Sequence, residues 1–485
     1  MSLQSVGQIC LDFLPSLPVK FEVSSALLSS DAGLLPVRQF DEQIRFTERF
    51  AKALSDSRDG SWMRQDNLVM VRQRIYGIIA GYEDQNDHDT LRSDPVFKLI
   101  ADRLPDDGDL ASQPTLSRFE NGVTIADLWR LRDVLIDEFI ASFDTPPAHL
   151  TFDMDAFDDP AHGQQQLVMY HGHYEQHQYL PIAITCAEND AVVLIGLRHG
   201  TCHASLGVDD DLQYLAGRLR AVWPDVQIIV RGDGGFATPL MYKTCDDLHM
   251  TFTIGLGMNP RLKKMSEELL AQAVKTYAET QTPQRLFLPI EYQADSWPAP
   301  RPVVIKVEAN AQGTNRRAVV TNRLGWMVEP QATYDEYAER GESENRNKEL
   351  KCELQADRLS DHRFLANYFR LYLHAAALNL LIRLRQTAAL PKKTPVEMGI
   401  LNPLPAKVLD EPDRKRFFNR RRARDPLGEG FASTWRTRVI KVAAEIIVSS
   451  RRVVIRFSST WPYLDQLAHV CQAVLGARPA AKLSG

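Results

Sequence analysis

The sequence predicts an α/β protein, with a mixed-sheet core interrupted by a β-rich insertion, a mainly helical amino-terminal region ahead of it and a basic carboxy-terminal region behind. Three observations predict this. Strand-length apolar runs and period-two alternation start near Leu150; helical periodicity dominates before them; and a second group of alternating segments fills residues 257–327. These shifts divide the chain into residues 1–148, 149–256, 257–327, 328–395 and 396–485.

In the first stretch, Asp41 to Leu54, Asn67 to Tyr82 and Asp94 to Leu104 space their apolar residues as helices do. Ser112 to Asn121 reads as a short helix with Pro114 in its first turn and Asn121-Gly122 as its stop. Thr124 and Asp127 form a capping box ahead of the stripe Leu128, Leu131, Leu135 and Phe139. Two short helices joined by a tight turn fit a DNA-reading helix-turn-helix as well as a hairpin that only packs.

In the second stretch, LTFDMDAF, QLVMYHGHY, YLPIAITCA and AVVLIGL read as consecutive strands, followed by an amphipathic helix from Asp211 to Val222. Val226 to Val230 is then a buried strand running into Arg231-Gly232-Asp233-Gly234-Gly235. A helix from Pro239 to Leu248 and a strand from Met250 to Leu256 follow. The insertion opens with a helix, Lys264 to Glu279, and alternates through RLFLPIEYQA, RPVVIKVEA and RAVVTNRL. Beyond it comes the helix bearing Tyr337, then a long one from Arg363 to Leu390, whose face of Phe364, Leu371, Leu378, Leu381 and Leu384 is expected to pack on the sheet.

Composition excludes several classes. The 485 residues are 44% hydrophobic and 25% charged, as in ordinary globular proteins. No signal peptide is readable, and the longest apolar segment, Leu371 to Leu384, is broken by His374, Asn379 and Arg383, so a cytoplasmic protein without membrane contact is expected. Cysteines at 10, 186, 202, 245, 352 and 471 show no metal-ligand spacing and are expected to be reduced. The net charge of −5 opposes a nucleic-acid partner unless the cations are segregated. They are: Asp84 to Asp109 is acidic, whereas residues 414–424 read RKRFFNRRRAR.

Three widely spaced acids hold the chemistry: an Asp at 155 or 153, Asp233 and Glu344. Asp153 and Asp155 alternate on one face of the first strand, Asp233 ends a later one beside two glycines, and Glu344 lies on a helix. Tyr337, Arg340, Glu344 and Lys351 recur at helical spacing, so one helix is expected to present all four on one face. Carboxylates from separate elements, with cations to meet phosphates, suit a site for two hard divalent ions working on a phosphodiester. His162, His171, His173 and His177 crowd one hairpin without helical ligand spacing, and are read as solvent-facing.

The Y-x2-R-x3-E-x6-K frame at Tyr337, Arg340, Glu344 and Lys351 resembles the YREK signature of bacterial insertion-sequence DDE transposases. The ordered blocks FDMDAFDDPAHGQQ, LRHGTCHA, VRGDGGF, YAERGESENRNKELK and HRFLANYFRLYLHAAALNLLIR resemble that group's thirteen-eighty branch. The resemblance implies a ribonuclease-H-like core with a β-rich insertion before the glutamate helix. Asp155, Asp233 and Glu344 would be catalytic and bind two Mg²⁺ ions, with Mn²⁺ as a substitute. Asp153 is the alternative first acid, since Phe157 stands where the family has Thr. Tyr337, Arg340 and Lys351 would contact DNA, and Arg414, Arg416, Arg420, Arg421 and Arg422 of the basic stretch would help.

The implied activity is cut-and-paste transposition: hydrolysis at the element ends, strand transfer by the 3′-hydroxyl, and a hairpin intermediate. The implied partners are double-stranded DNA with terminal inverted repeats, target DNA and a second copy of the chain in the synaptic complex. Residues 1–148 would bind the DNA end and residues 396–485 would contact DNA or dimerise, with the protein at the nucleoid when DNA-bound. The alternatives are a structure-selective ribonuclease-H-fold nuclease and an inactive DNA-binding regulator.

Overall fold

The computed structural model describes residues 10–11, 13–14, 16–17, 19–56, 65–161, 163–402, 409 and 411–476. The helix expected over Asp41 to Leu54 is two helices: α1, Leu34–Ile44, and a seven-residue helix, Phe46–Lys52, separated by Arg45 at φ 57°. Buried Asp41 makes the break. Its carboxylate accepts from the Thr47 amide at 2.9 Å and the Tyr76 hydroxyl at 2.7 Å, satisfying the second helix's amino terminus from inside the first. Helix α2, Asn67–Ala80, starts on an Asp66 cap and stops at left-handed Gly81. The expected helix at 94–104 is only Pro95–Ile100, because the Lys98 ammonium turns inward to the carbonyls of Pro105 and Asp107 and winds the following loop around itself. The capping box of Thr124 and Asp127 opens α3, Ile125–Ile140, as expected.

The sheet begins with β1, His149–Ala156, whose Leu150, Phe152 and Met154 enter one core while Thr151, Asp153 and Asp155 alternate to the other side. Strands β2, Ile182–Cys186, and β3, Val192–Gly196, add antiparallel. Helix α4, Val208–Val222, then crosses to β4, Gln227–Gly232, and α5, Pro239–Asp247, to β5, Thr251–Leu256. Strand β4 pairs in parallel with both β1 and β5.

Residues 257–327 do not form a separate layer. After α6, Glu267–Thr280, strands β6, Gln284–Tyr292, β7, Arg301–Asn310, and β8, Gly313–Thr321, extend the same sheet, giving the order β6-β7-β8-β5-β4-β1-β2-β3. Strand β8 lies antiparallel on β5, with Thr253 and Thr321 hydroxyls 3.1 Å apart, and closes an edge that would otherwise be open.

The chain returns through α7, Pro330–Ala338, and α8, Gly341–Lys348, to α9, Phe364–Ala388. Helix α9 does not merely set one face on the sheet. Its buried residues run around the whole cylinder, because α2 and the carboxy-terminal segment cover what β3 leaves open. Helix α10, Glu411–Arg424, precedes strands Ala444–Ser449 and Arg452–Phe457, the first of which pairs with Leu27–Ser29. The last helix, α11, Leu464–Gly476, buries Leu467, Val470 and Val474 in the core shared with α1, α2 and α9. All six cysteines are free, with Cys186, Cys202 and Cys245 buried. Among the described residues, no helix is long and apolar enough to cross a membrane.

The two chain ends meet backbone to backbone at Gly33, whose amide donates to the Ile440 carbonyl at 3.2 Å. A Cβ at this position would lie 1.8 Å from the Val439 carbonyl oxygen. Gly33→Ala is therefore expected to cost about 2–3 kcal/mol, read as a lowered urea midpoint. An unchanged midpoint would mean that this contact does not tie the ends together.

Candidate active site

The parallel register of β1 and β4 sets Arg231 opposite Asp153 and Gly232 opposite Met154, so Asp233 leaves the sheet beside Asp155. The two Asp residues of β1 have different fates. Asp153 is fully buried, with one oxygen 2.7 Å from the Arg231 Nε and the other 2.9 Å from its Nη2, and Arg346 adds a contact at 3.4 Å. Arg231 is itself buried and donates a further bond to the Glu336 carbonyl at 2.8 Å. Asp153 is thereby used up as the anchor of an internal ion pair.

Asp155 sits at the mouth of the strand. One of its oxygens accepts from the Asn347 amide nitrogen at 2.7 Å and lies 3.7 Å from the Arg340 guanidinium. Burial pushes its carboxyl up to about 6, and the charges of Asp233 and Glu344 push the same way, while Arg340 opposes them. Asp233 accepts from the Gly235 amide at 2.8 Å, which caps a short turn over Gly234–Phe236. The two glycines are needed for close approach. A Cβ on Gly235 would come within 2.8 Å of the Ala204 Cβ, and one on Gly255 within 2.5 Å of the Tyr337 hydroxyl, which is seated over the ends of the strands. Phe157, two residues on from Asp155, is turned into the hydrophobic core, and its amide donates to the Pro181 carbonyl at 3.1 Å.

The single helix expected under Tyr337, Arg340, Glu344 and Lys351 is three pieces. Helix α7 ends at Ala338, α8 starts at Gly341, and a π-helical turn runs over Glu349–Glu353. Buried Glu349 accounts for the turn: it pairs with Arg385 and accepts from the Ala432 amide at 2.8 Å, a pull that an unbroken α-helix could not accommodate. The four side chains still collect on the side facing the acids. Arg340 lies 6.0 Å from the Tyr337 ring centroid and 3.3 Å from the Glu344 carboxylate, and the Lys351 ammonium is 2.5 Å from Asp158. Glu344 is the most open of them, its side chain 67% exposed. Arg340 stands between Asp155 and Glu344, and among the described residues no three His, Cys, Asp or Glu side chains converge tightly enough to grip one ion.

Sequence reasoning passed over Arg346, Asn347 and Asp158. Asn347 lies three residues beyond Glu344, a spacing that could have flagged it. In the basic stretch, Arg414, Arg416, Arg420 and Arg422 are exposed on α10, whereas Arg421 pairs with Glu429 and lies 5.0 Å over the Phe418 ring. Arg420 also donates to the Met398 carbonyl at 2.7 Å. His171, His173 and His177 sit on the hairpin of Met169–His171 and Gln176–Tyr179, and His162 lies outside the described residues. The helix Gln113–Asn121 and α3 pack inward, Phe119 meeting Phe369 at 5.4 Å and α3 burying Leu128, Leu131 and Leu135.

The two Asp residues of β1 should respond oppositely to neutralisation. Asp153→Asn strands a buried guanidinium and is expected to cost about 3 kcal/mol in urea unfolding. Asp155→Asn removes a buried charge facing a like one and is expected to be neutral or stabilising. Because Asp155 binds its proton more tightly folded than unfolded, its destabilising contribution appears as pH rises from about 4 to about 6, so any gain from Asp155→Asn should grow across that window and level off above it. Equal destabilisation by both variants would remove the distinction. A profile of the transposase DDE domain group 1 family matches residues 14–401. No curated protein matches the chain.

Proposed function

This chain belongs to the DDE transposases, and we propose that it moves an insertion sequence by metal-dependent cut-and-paste phosphoryl transfer, with a ribonuclease-H-like core and a site of the YREK type. The observation that carries the reading is the parallel register of β1 and β4, which sets Asp155 and Asp233 side by side at adjacent strand ends while α8 brings Glu344 up from outside the sheet. The strand order β3-β2-β1-β4-β5, with the first three antiparallel and the last three parallel, supports the ribonuclease-H-like assignment. Asp155 is the preferred first acid because Asp153 is consumed by Arg231.

The donor set fits hard divalent cations. Asp155 and Asp233 come together at adjacent strand ends, Arg340 reaches both Asp155 and Glu344, and the buried Oδ1 of Asn347 has no partner among the described residues while its amide nitrogen holds Asp155. Asp155, Asp233 and Glu344 would hold two Mg²⁺ ions, or Mn²⁺ in their place, whose chemistry is to activate a hydroxyl nucleophile and neutralise the leaving oxygen. Asn347 orients one oxygen of Asp155. Arg340 balances the acids in the free protein and is the guanidinium closest to hand for a phosphate entering between them. Tyr337 walls the site on the β5 side, and Lys351 is the next cation outward.

In the first step a water oxygen attacks phosphorus at the element end, the phosphodiester bond opens, and a 3′-hydroxyl is released with its proton. That hydroxyl then attacks a second phosphodiester, one P–O bond forming as another breaks, first by way of a hairpin on the element end. No covalent bond to the protein is needed, so positioning and charge neutralisation dominate. Terminal inverted repeats would be bound by residues 1–148 and backed by the arginines of α10, in a synaptic homodimer that also takes up target DNA at the nucleoid.

Asp233→Asn and Glu344→Gln are each expected to abolish Mg²⁺-dependent strand cleavage, a loss of at least about a thousand-fold, while duplex binding in a gel-shift assay persists. Cleavage at the parent rate by either variant would sink the assignment. Lys351→Ala should weaken the DNA complex more at low salt than at high, flattening the slope of log affinity against log salt by about one. An unchanged slope would deny it a phosphate contact.

A further inference from the structure

Between β1 and β2 the chain rises into a small antiparallel sheet of Asp159–Pro160, Met169–His171 and Gln176–Tyr179, in which the strand Gln176–Tyr179 is central. Its tip displays five rings. Tyr170 is 52% and Tyr174 38% exposed, His173 and His177 are exposed, and His171 is half-buried. Tyr170 meets His177 at 5.4 Å and 67°, His173 meets Tyr174 at 5.0 Å and 81°, and His171 leans on Tyr174 at 5.0 Å and 57°. The exposure of Tyr170 and Tyr174 leaves part of each ring in solvent.

The support under these rings is rigid. The Ala161 amide donates to the His177 carbonyl at 2.9 Å and the Glu175 amide to the His171 carbonyl at 2.8 Å. The hairpin backbone also rests directly on Gly200, where a Cβ would lie 2.0 Å from the Gln178 carbonyl oxygen and 2.4 Å from that of Met169. It is tethered to the acids as well. The Gln176 side-chain amide donates to Asp158 at 3.1 Å, and Asp158, three residues past Asp155, also accepts from Lys351. Burial, followed by the charges of Asp158, Asp233 and Asp155, raises the Tyr174 phenol, as expected of a ring set at the rim of the acid pair.

We propose that this hairpin is a stacking platform for unpaired nucleotides, holding the bases of a strand whose phosphodiester lies at Asp155 and Asp233. The proposal rests on the transposase reading for its substrate class. The choice of occupant follows from chemistry: every nucleobase offers a flat face, stacking does not depend on sequence, and the acids beside the rings repel a phosphate that lacks a counter-ion but not a base. Paired bases keep their faces inside the duplex, so the platform selects single-stranded or frayed ends. The backbone beneath the rings is already hydrogen-bonded, which lowers the ordering cost of capture.

The test measures binding of the full chain, with Ca²⁺ present to accompany the phosphates, to a short fluorescein-labelled oligothymidine and to an intact duplex of equal length, by anisotropy. Tyr170→Ala and Tyr174→Ala are each expected to weaken the single strand roughly ten-fold and the duplex by less than about two-fold. Tyr174→Phe, which keeps the ring and loses the hydroxyl, should bind as the parent does. His173→Ala, a third truncation at an exposed ring, should weaken the single strand in the same direction, and unchanged urea midpoints establish that each variant is folded. No loss on truncation, equal loss on both DNAs, or a loss in Tyr174→Phe matching that in Tyr174→Ala overturns the platform. A chain that shows the expected pattern yet never cuts DNA would refute the transposase reading and leave the platform standing. One that cuts DNA and ignores these substitutions would refute the platform alone.

Discussion

The parallel pairing of β1 with β4, locked by the buried contact of Asp153 with Arg231, is the constraint on which the site depends. A pair of opposite charges in a dry sheet is poor value as stability, because both ions must be desolvated. It is good value as register. A slip of one residue would leave a bare guanidinium and a bare carboxylate inside the protein, and would turn Asp155 to the opposite face of the sheet. The ion pair at 2.7 Å fixes the acid two residues further along β1 against the acid two residues further along β4.

What that register creates is electrostatically unfavourable, and the rest of the site manages it. Burial raises the proton affinity of Asp155, and the charge of Asp233 adds to the effect. Arg340 answers from the break between α7 and α8, reaching Asp155 and Glu344 at once. The break matters for this reach. Glu339 and Arg340 keep helical signs of φ and ψ, but the Arg340 amide turns to the Tyr337 carbonyl three residues back at 2.9 Å, so the ladder does not run unbroken from one helix into the next. Glu349 and Arg385 then hold the far end of α8 against α9 through the π-helical turn.

Local patterns were legible where one rule governed. Apolar strand runs, the Thr124–Asp127 box, the Asp66-capped helix and the strand ending at Asp233 all appear where hydrophobic period and turn chemistry put them. Features set by a distant partner were hidden. The break at Arg45 comes from Asp41 finding Thr47 and Tyr76, and the π-helical turn comes from Glu349 finding Ala432 and Arg385. The alternating segments after residue 257 read as an interruption because alternation reports a half-buried strand and says nothing about which sheet it joins. Alternation alone left Asp153 and Asp155 open for the same reason, both being acids on one face, and only the family resemblance preferred Asp155; what the sequence hid is that Asp153 has the cross-strand partner Arg231. Asn347 lacked a charge to draw notice, although its spacing from Glu344 placed it at the site.

The net charge of −5 is the remaining objection to a DNA partner, and the arrangement of ions answers it locally. The internal ion networks do not lower that total, since each buried acid in them takes up two arginines. Glu120 meets Arg74 and Arg370, Glu138 meets Arg49 and Arg383, and Asp153 meets Arg231 and Arg346, all in buried or half-buried settings where long-range field is small. The exposed arginines of α10 have fewer such obligations, so the surface seen by a polyanion is more positive there than the total implies. At the acids themselves the sign is reversed. In the proposed reaction a phosphodiester would be repelled by Asp155 and Asp233 unless cations accompany it, and Arg340, which lies within reach of both Asp155 and Glu344, would be the group whose partners change as substrate enters.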